Sequence, residues 1–364
     1  MQGEQNSSIR RGPIHRVTPG SYRFRQTFRY VLNAFLLSLA WIVPAGAQSI
    51  SLYDQGKAAF YAHKWEDAAV LMARAEEQQP DKTDALLFGG KALANLKRFN
   101  DADAALTRYS KLHPDSAEAL FVLGFVQHRE NKPGDSLASY TAAARLATPR
   151  GDDLRIVGLD YVLLDDYPDA IHWLEKAVTF DPNDAEAWYS LARCYYTQSS
   201  FQKAEQAFQK TLSLDPKSVK AAENLALTFA AENRVSDADE SFRLAISLAH
   251  DDPHTNEWPY LNYGSFLLDH DRAAEAVPLL QEAVARAPKC SACHEKLGRA
   301  LNGTAATKLG IAELEQAVAL SPDEAHLHYE LGLAYRAAGM QDRAKAEFAT
   351  SAKLYGTKSD KEQK

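Results

Sequence analysis

From Ala185 onward the chain keeps a regular rhythm of large and small side chains. With Ala185 as position 1 of a unit, large residues fall at positions 4, 7 and 11 (Trp188, Leu191, Tyr195) and at 24 (Phe208). Small residues fall at positions 8 and 20 (Ala192, Ala204). Apolar residues spaced three and four apart mark amphipathic helices, so the unit predicts two of them in succession. Pro216, at position 32, sits past the second helix, where no backbone donor is needed.

The same template returns every 34 residues. Units begin at Ser49, Thr83, Ala117, Gly151, Ala185 and Val219. After a four-residue insertion, Pro253 to Asn256, they resume at Glu257, Ser291 and Ala325. Position 8 is Gly or Ala in every unit. Position 20 is Ala, Ser or Gly, and position 24 is always large and apolar or aromatic. The small residues let two antiparallel helices approach closely, and the large ones fill the space between them and against the next unit. A single unit cannot bury both its faces; stacked units share a continuous core. Ser116, Asp184 and Ser218, each just before a first helix, are expected N-caps.

This pattern resembles the tetratricopeptide repeat family over about residues 49–356. The resemblance implies an all-α fold: a right-handed superhelical solenoid of about nine helix-turn-helix units occupying residues 48–356, followed by a polar tail, 357–364. Departures are local. Thr148 and His250 replace the proline, and Gln55 and Gln127 occupy positions that are usually apolar. No extra polar helix is evident after the ninth unit, so the last helix is expected to leave a face open, for a partner or for self-association, the latter making the chain a self-associating structural spacer as an alternative function.

The resemblance also implies a non-enzymatic scaffold or adaptor that binds a peptide or protein in a concave groove lined by the first helix of each unit. Tyr53, Lys57, Phe121, Phe125, Arg155, Tyr189, Arg193, Tyr196, Arg299 and Arg336 fall at groove-lining positions, as do Glu223 and Trp258. Asn224 and Asn262 both fall at position 6, where their amides would bond a peptide backbone. Aromatics interleaved with Arg and Lys suit a partner bearing apolar and acidic side chains. The Lys and Asn clamp by which some family members hold a carboxy-terminal carboxylate is not found here.

Composition sharpens this picture in two ways. The chain has 364 residues, 46% hydrophobic and 24% charged, which is enough apolar content for an ordered body. Its formal net charge is −7. Arg10, Arg11, Arg16, Arg23, Arg25 and Arg29 all precede residue 48 and face only Glu4 there, so the remainder is more acidic still. Charge alone makes it a poor binder of nucleic acid or anionic membrane. The arginines stand before an apolar run, Tyr30 to Val43, broken by Pro44 and followed by Ala45-Gly46-Ala47. That order reads as an export signal over 1–47, directing the chain to the periplasm or outside the cell. The alternative is an uncleaved inner-membrane anchor, although the run is shorter than the roughly 20 residues a spanning helix needs.

One motif carries possible chemistry. Cys290-Ser291-Ala292-Cys293-His294 has the spacing of a c-type haem attachment site, with two thiols for the vinyl groups and a histidine for the iron. An ordinary repeat accounts for the same residues. Cys290 falls in the turn after Pro288, Cys293 at position 3 and His294 at position 4, with no added segment to house a haem. The main reading is an incidental cysteine pair or a local disulfide; haem-based electron transfer or sensing is the alternative, and a metal or redox dithiol site a further one. Cys194 is expected to be buried and inert. His250, Asp251, Asp252 and His254 cluster at the insertion, where a solvated loop is favoured over a metal site. No Gly-rich phosphate loop, nucleophile elbow or metalloprotease motif is present, so no metal or other cofactor is expected.

Overall fold

A computed structural model describes residues 50–251 and 254–362, without the side chains of Asp251 and of 357–362. The export segment lies outside the described residues. Eighteen α-helices follow one another, with no strand among the described residues. The units pair as α1 (Leu52–Tyr61) with α2 (Trp65–Gln78), α3 (Asp84–Asn95) with α4 (Phe99–Leu112), and α5 (Ala117–Arg129) with α6 (Pro133–Ala144). Next come α7 (Gly151–Leu163) with α8 (Tyr167–Phe180), α9 (Ala185–Thr197) with α10 (Phe201–Leu214), and α11 (Val219–Ala231) with α12 (Val235–Asp251). The last three units are α13 (Trp258–Asp269) with α14 (Ala273–Arg286), α15 (Ser291–Gly303) with α16 (Thr307–Leu320), and α17 (Ala325–Ala337) with α18 (Gln341–Glu362).

The contact pattern sets the curvature. Each helix packs on its chain neighbours, and each odd-numbered helix also touches the next odd-numbered one. The backbones of even-numbered helices stay farther apart, bridged only by long side chains such as the ion pairs Arg108–Glu76 and Arg343–Glu315. The first helices therefore form the inner, concave row, and no contact reaches beyond the adjacent unit.

The small-residue slots work as their spacing requires. A Cβ added to Gly90 would lie 2.7 Å from Leu106 Cγ, and one on Gly158 2.7 Å from Leu174 Cγ. In units with alanine at position 8, Ala192 and Ala226 are fully buried, as are Phe208 and Phe242 at position 24. Each such buried large side chain contributes about 2 kcal/mol by the area it removes from water.

Between the paired helices, position 15 adopts a positive φ in all nine units: 55° at His63, 60° at Lys97, 61° at Ala305 and 77° at Gly339, for example. Only the ninth unit spends a glycine on this turn. The caps are mixed. Ser116 Oγ accepts from the Ala119 amide at 3.3 Å, and Asp184 Oδ1 from the Ala187 amide at 3.0 Å. Ser218 departs from expectation: its side chain makes no cap bond, and its hydroxyl is buried without a partner among the described residues.

Buried polar groups are otherwise tied together. Asp160 is fully buried; its carboxylate accepts from Ser136 Oγ and lies 2.7 Å from His128 Nδ1. Ser136 occupies a small-residue slot, so this cluster joins the third and fourth units. The aspartate stands between the serine and the histidine, which is not the order of a nucleophile activated by an imidazole. Gln127, at a normally apolar position, accepts from Ser139 Oγ at 2.7 Å.

The end of the stack differs from expectation. α18 spans 22 residues, against 14 for α16, so the helical backbone continues through most of the segment read as a tail. Its exposed positions Asp342, Lys345, Ala349, Ala352 and Lys353 are charged or small, with Tyr355 the large apolar exception. Among the described residues, no helix is long and apolar enough to cross a membrane.

Candidate peptide-binding groove

A cavity lies on the concave row where the sequence insertion falls. It has a volume of about 710 Å³ and is walled by α9, α11 and the start of α13. Tyr189, Arg193, Asn224 and Asn262, each expected in the groove, all line it. Glu223, Leu227, Trp258, Lys217, Lys220 and Ser218 complete the walls, and His254, Thr255 and Asn256 close one side. The insertion thus builds part of a cavity wall and is not an idle loop. It is held in place by Arg286, whose Nη1 donates to the Thr255 carbonyl at 2.6 Å while its guanidinium lies 4.7 Å from the Tyr260 ring centre. The side chain of Asn256 accepts from the Trp258 amide at 3.2 Å, fixing the entry to α13.

Trp258 is half exposed, an indole presented to solvent at the rim. Lys220 is engaged internally: its Nζ reaches both Glu186 oxygens at 2.7 and 2.8 Å and lies 4.4 Å from the Tyr189 ring centre. Arg193 is exposed and makes no ion pair among the described residues. Burial pushes the Tyr189 hydroxyl above its usual pKa, opposed by Arg193 and reinforced by Glu223 and Glu186. Tyr189 is therefore a neutral donor at any physiological pH.

The two asparagines do not form a free ladder. Asn224 Nδ2 donates to the Lys220 carbonyl at 2.8 Å and approaches Tyr189 Oη at 3.4 Å. Asn262 Nδ2 donates to Glu223 Oε1 at 2.6 Å. Their amide groups are partly spent on fixing the cavity walls.

The other expected groove residues scatter along the inner row. Phe121, Phe125 and Arg155 line a second cavity of about 340 Å³, roofed by Tyr140. Arg155 is already neutralised there, its Nε at 3.1 Å from Asp184 and its Nη2 at 3.1 Å from Asp152. It ties the fourth unit to the cap of α9 instead of reaching for a ligand. Tyr53 lines a pocket at the first unit, and Lys57 stacks over Phe88 at 5.4 Å. Tyr196 packs edge-on to Phe201 at 5.8 Å. Arg299 borders a small cavity beside α17, and Arg336 lies 5.6 Å from the Phe348 ring centre.

The cysteine motif resolves into structure. Cys290 and Cys293 are joined by a disulfide, Cα to Cα 5.3 Å, at the start of α15. His294 is buried, with Nδ1 2.6 Å from Glu313 Oε2 and Nε2 3.1 Å from the Pro288 carbonyl. His328, one unit later, repeats this arrangement with Glu347 at 2.6 Å and the Pro322 carbonyl at 2.9 Å. His294 is thus a repeat position that bonds the preceding turn to the second helix. Thiols bonded to each other and an imidazole engaged at both nitrogens do not present a haem ligand set, so the haem reading finds no fit in this geometry. Cys194 is buried, and desolvation pushes its thiol up to about 11, which leaves it unreactive. Of the residues at the insertion, Asp252 lies outside the described residues, and no group of three or more metal-ligating side chains occurs among the described ones.

Three stretches, residues 53–102, 89–150 and 158–219, match the profile of the tetratricopeptide repeat family. A solved C-terminal part of a repeat protein from Cytophaga hutchinsonii is 16% identical, covering 67% of this chain and 99% of its own, with a TM-score of 0.56. A tetratricopeptide repeat protein from Parabacteroides merdae is 18% identical over 69% of this chain and 98% of its own, with a TM-score of 0.53. These likenesses bear on the fold alone. Among curated proteins, a general transcriptional corepressor of Dictyostelium discoideum is 45% identical over 40 residues. The chain spans about 3% of that relative's length.

Proposed function

From a chain that carries tetratricopeptide repeats in an all-α solenoid, we propose a non-enzymatic scaffold that binds an extended peptide or protein segment along its concave row, centred on the cavity between α9 and α13. The observation that carries this reading is the convergence of Tyr189, Arg193, Asn224, Asn262 and the half-exposed Trp258 around one 710 Å³ concavity. A half-exposed indole and a guanidinium with no ion pair among the described residues, set in a concave site, are the features that anchor partner side chains. The neighbouring cavity at Phe121 and Phe125 suits an apolar side chain of the same segment.

The working place of the protein is the periplasm or the cell exterior in this reading. The arginine-led apolar run before Ala47 supports it, and so does the Cys290–Cys293 disulfide, since such bonds persist in oxidising compartments. The charged and small outer surface of α18 supports a closed end over a self-associating one.

Affinity capture from a periplasmic and membrane extract tests the proposal, with wild type beside the double variant Tyr189→Ala, Arg193→Ala. A partner held by the first and lost by a folded second variant is the expected outcome. Equal capture by both contradicts the groove and moves the site to another surface.

A further inference from the structure

We propose that the cavity between α9 and α13 takes one basic side chain, lysine or arginine, from the bound segment, with Glu223 as its carboxylate partner. This inference rests on the groove reading above and names the chemistry of its central pocket.

Glu223 and Glu295 occupy the same register position, the fifth of their units, on the inner row. Both are buried, at 8% and 7% exposure. Their surroundings differ. Glu295 has Lys296 at 3.3 Å, His326 at 3.5 Å and Arg299 at 3.8 Å. Glu223 makes no ion pair among the described residues; its one described polar contact is the Asn262 amide. Burying a carboxylate is costly unless a cation or several donors compensate it, and a single neutral amide is weak compensation. Burial accordingly raises the Glu223 pKa, against the lowering effect of Asn262.

The cations lining the cavity do not supply the missing partner. Lys220 is committed to Glu186 and to the face of Tyr189. Arg193 projects from α9 into solvent and makes no ion pair with Glu223. A second buried group points the same way: the Ser218 hydroxyl lines this cavity and has no hydrogen-bond partner among the described residues. A primary ammonium or guanidinium entering the cavity would complete the Glu223 carboxylate and offer a donor to Ser218. Trp258, half exposed at the rim, supplies aromatic surface that favours a cation. Arg193 on the rim then faces an acidic neighbour in the segment, so the preferred sequence carries both signs of charge.

Random seven-residue peptides displayed on phage, selected against immobilised wild type, Glu223→Gln and the Tyr189→Ala, Arg193→Ala variant, test this assignment. Glu223→Gln keeps the shape and the Asn262 bond, and its unfolding midpoint serves as the folding control. Wild type is expected to enrich Lys or Arg at one fixed position, and Glu223→Gln to lose that preference. A synthetic peptide bearing that lysine should bind Glu223→Gln roughly ten-fold or more weakly, while its Lys-to-Gln counterpart binds both proteins within about two-fold. The same basic position enriched on Glu223→Gln overturns the Glu223 assignment and leaves the groove standing. Peptides that bind the Tyr189→Ala, Arg193→Ala variant as well as wild type, or no enrichment on any protein, overturn the groove and this inference together.

Discussion

Gly298 lies directly under Leu314: a Cβ on the glycine would stand 2.7 Å from Leu314 Cγ and 2.8 Å from the Gly310 carbonyl oxygen. The backbone oxygen cannot rotate away as a side chain can. Gly298→Ala is therefore expected to destabilise by about 1–3 kcal/mol through overpacking, despite the better helix propensity of alanine. Urea unfolding of wild type and variant checks it; an unchanged or raised midpoint would show that α15 and α16 are not held this closely.

Ala305 presents the opposite case. It holds a φ of 61° with a Cβ, where the ninth unit uses Gly339. Left-handed backbone costs an ordinary residue about 1–2 kcal/mol, so Ala305→Gly should raise the unfolding midpoint by up to about 1 kcal/mol equivalent, less the extra unfolded-chain entropy of glycine.

These two sites show what the sequence made legible. The close approach at position 8 was readable because glycine or alanine recurs there in all nine units. The left-handed turn at position 15 was legible only in part: Asn131, Asp165, Asn233 and Asp271 are residue types that favour it, whereas His63, Lys97, Ser199 and Ala305 carry no such signal and have the geometry imposed on them by the fold. The groove was legible as a row of positions and not as a cavity. Arg155 looked available in sequence and is paired with Asp152 and Asp184. The walls from Thr255 and Asn256, and the isolation of Glu223 from any cation, depend on which neighbours the fold brings together, and spacing alone does not encode that.

The pH dependence of stability should expose His328. Burial opposes its charging, but the bonds to Glu347 and the Pro322 carbonyl prevail and raise its pKa above the usual 6.5. A histidine raised in this way contributes stability that is fully present below the unfolded value and is lost as pH climbs through the folded value. The midpoint advantage of wild type over His328→Gln should accordingly shrink as pH rises from below 6.5 into the alkaline range. An advantage that is flat, or that grows with pH, would contradict the ionic pairing with Glu347.

Thiol counting tests the disulfide. Protein denatured without reductant should expose one reactive thiol, Cys194, and three after reduction. The bond closes a loop of four residues, so its loss should cost at most about 2 kcal/mol and leave the solenoid folded. Three thiols without reductant would contradict the bond. Co-expression with haem-attachment machinery should yield a colourless protein, and a covalent Soret-absorbing product would restore the haem reading.

The central claim is that a partner lies along the inner row at the cavity between α9 and α13. Hydrogen–deuterium exchange of the protein alone and saturated with a peptide selected on it addresses this most directly. The account predicts added protection in α9, α11 and the segment from His254 into α13, with the outer helices α10 and α12 changed little. Protection confined to the outer helices or to α18, with the inner row untouched, would contradict it.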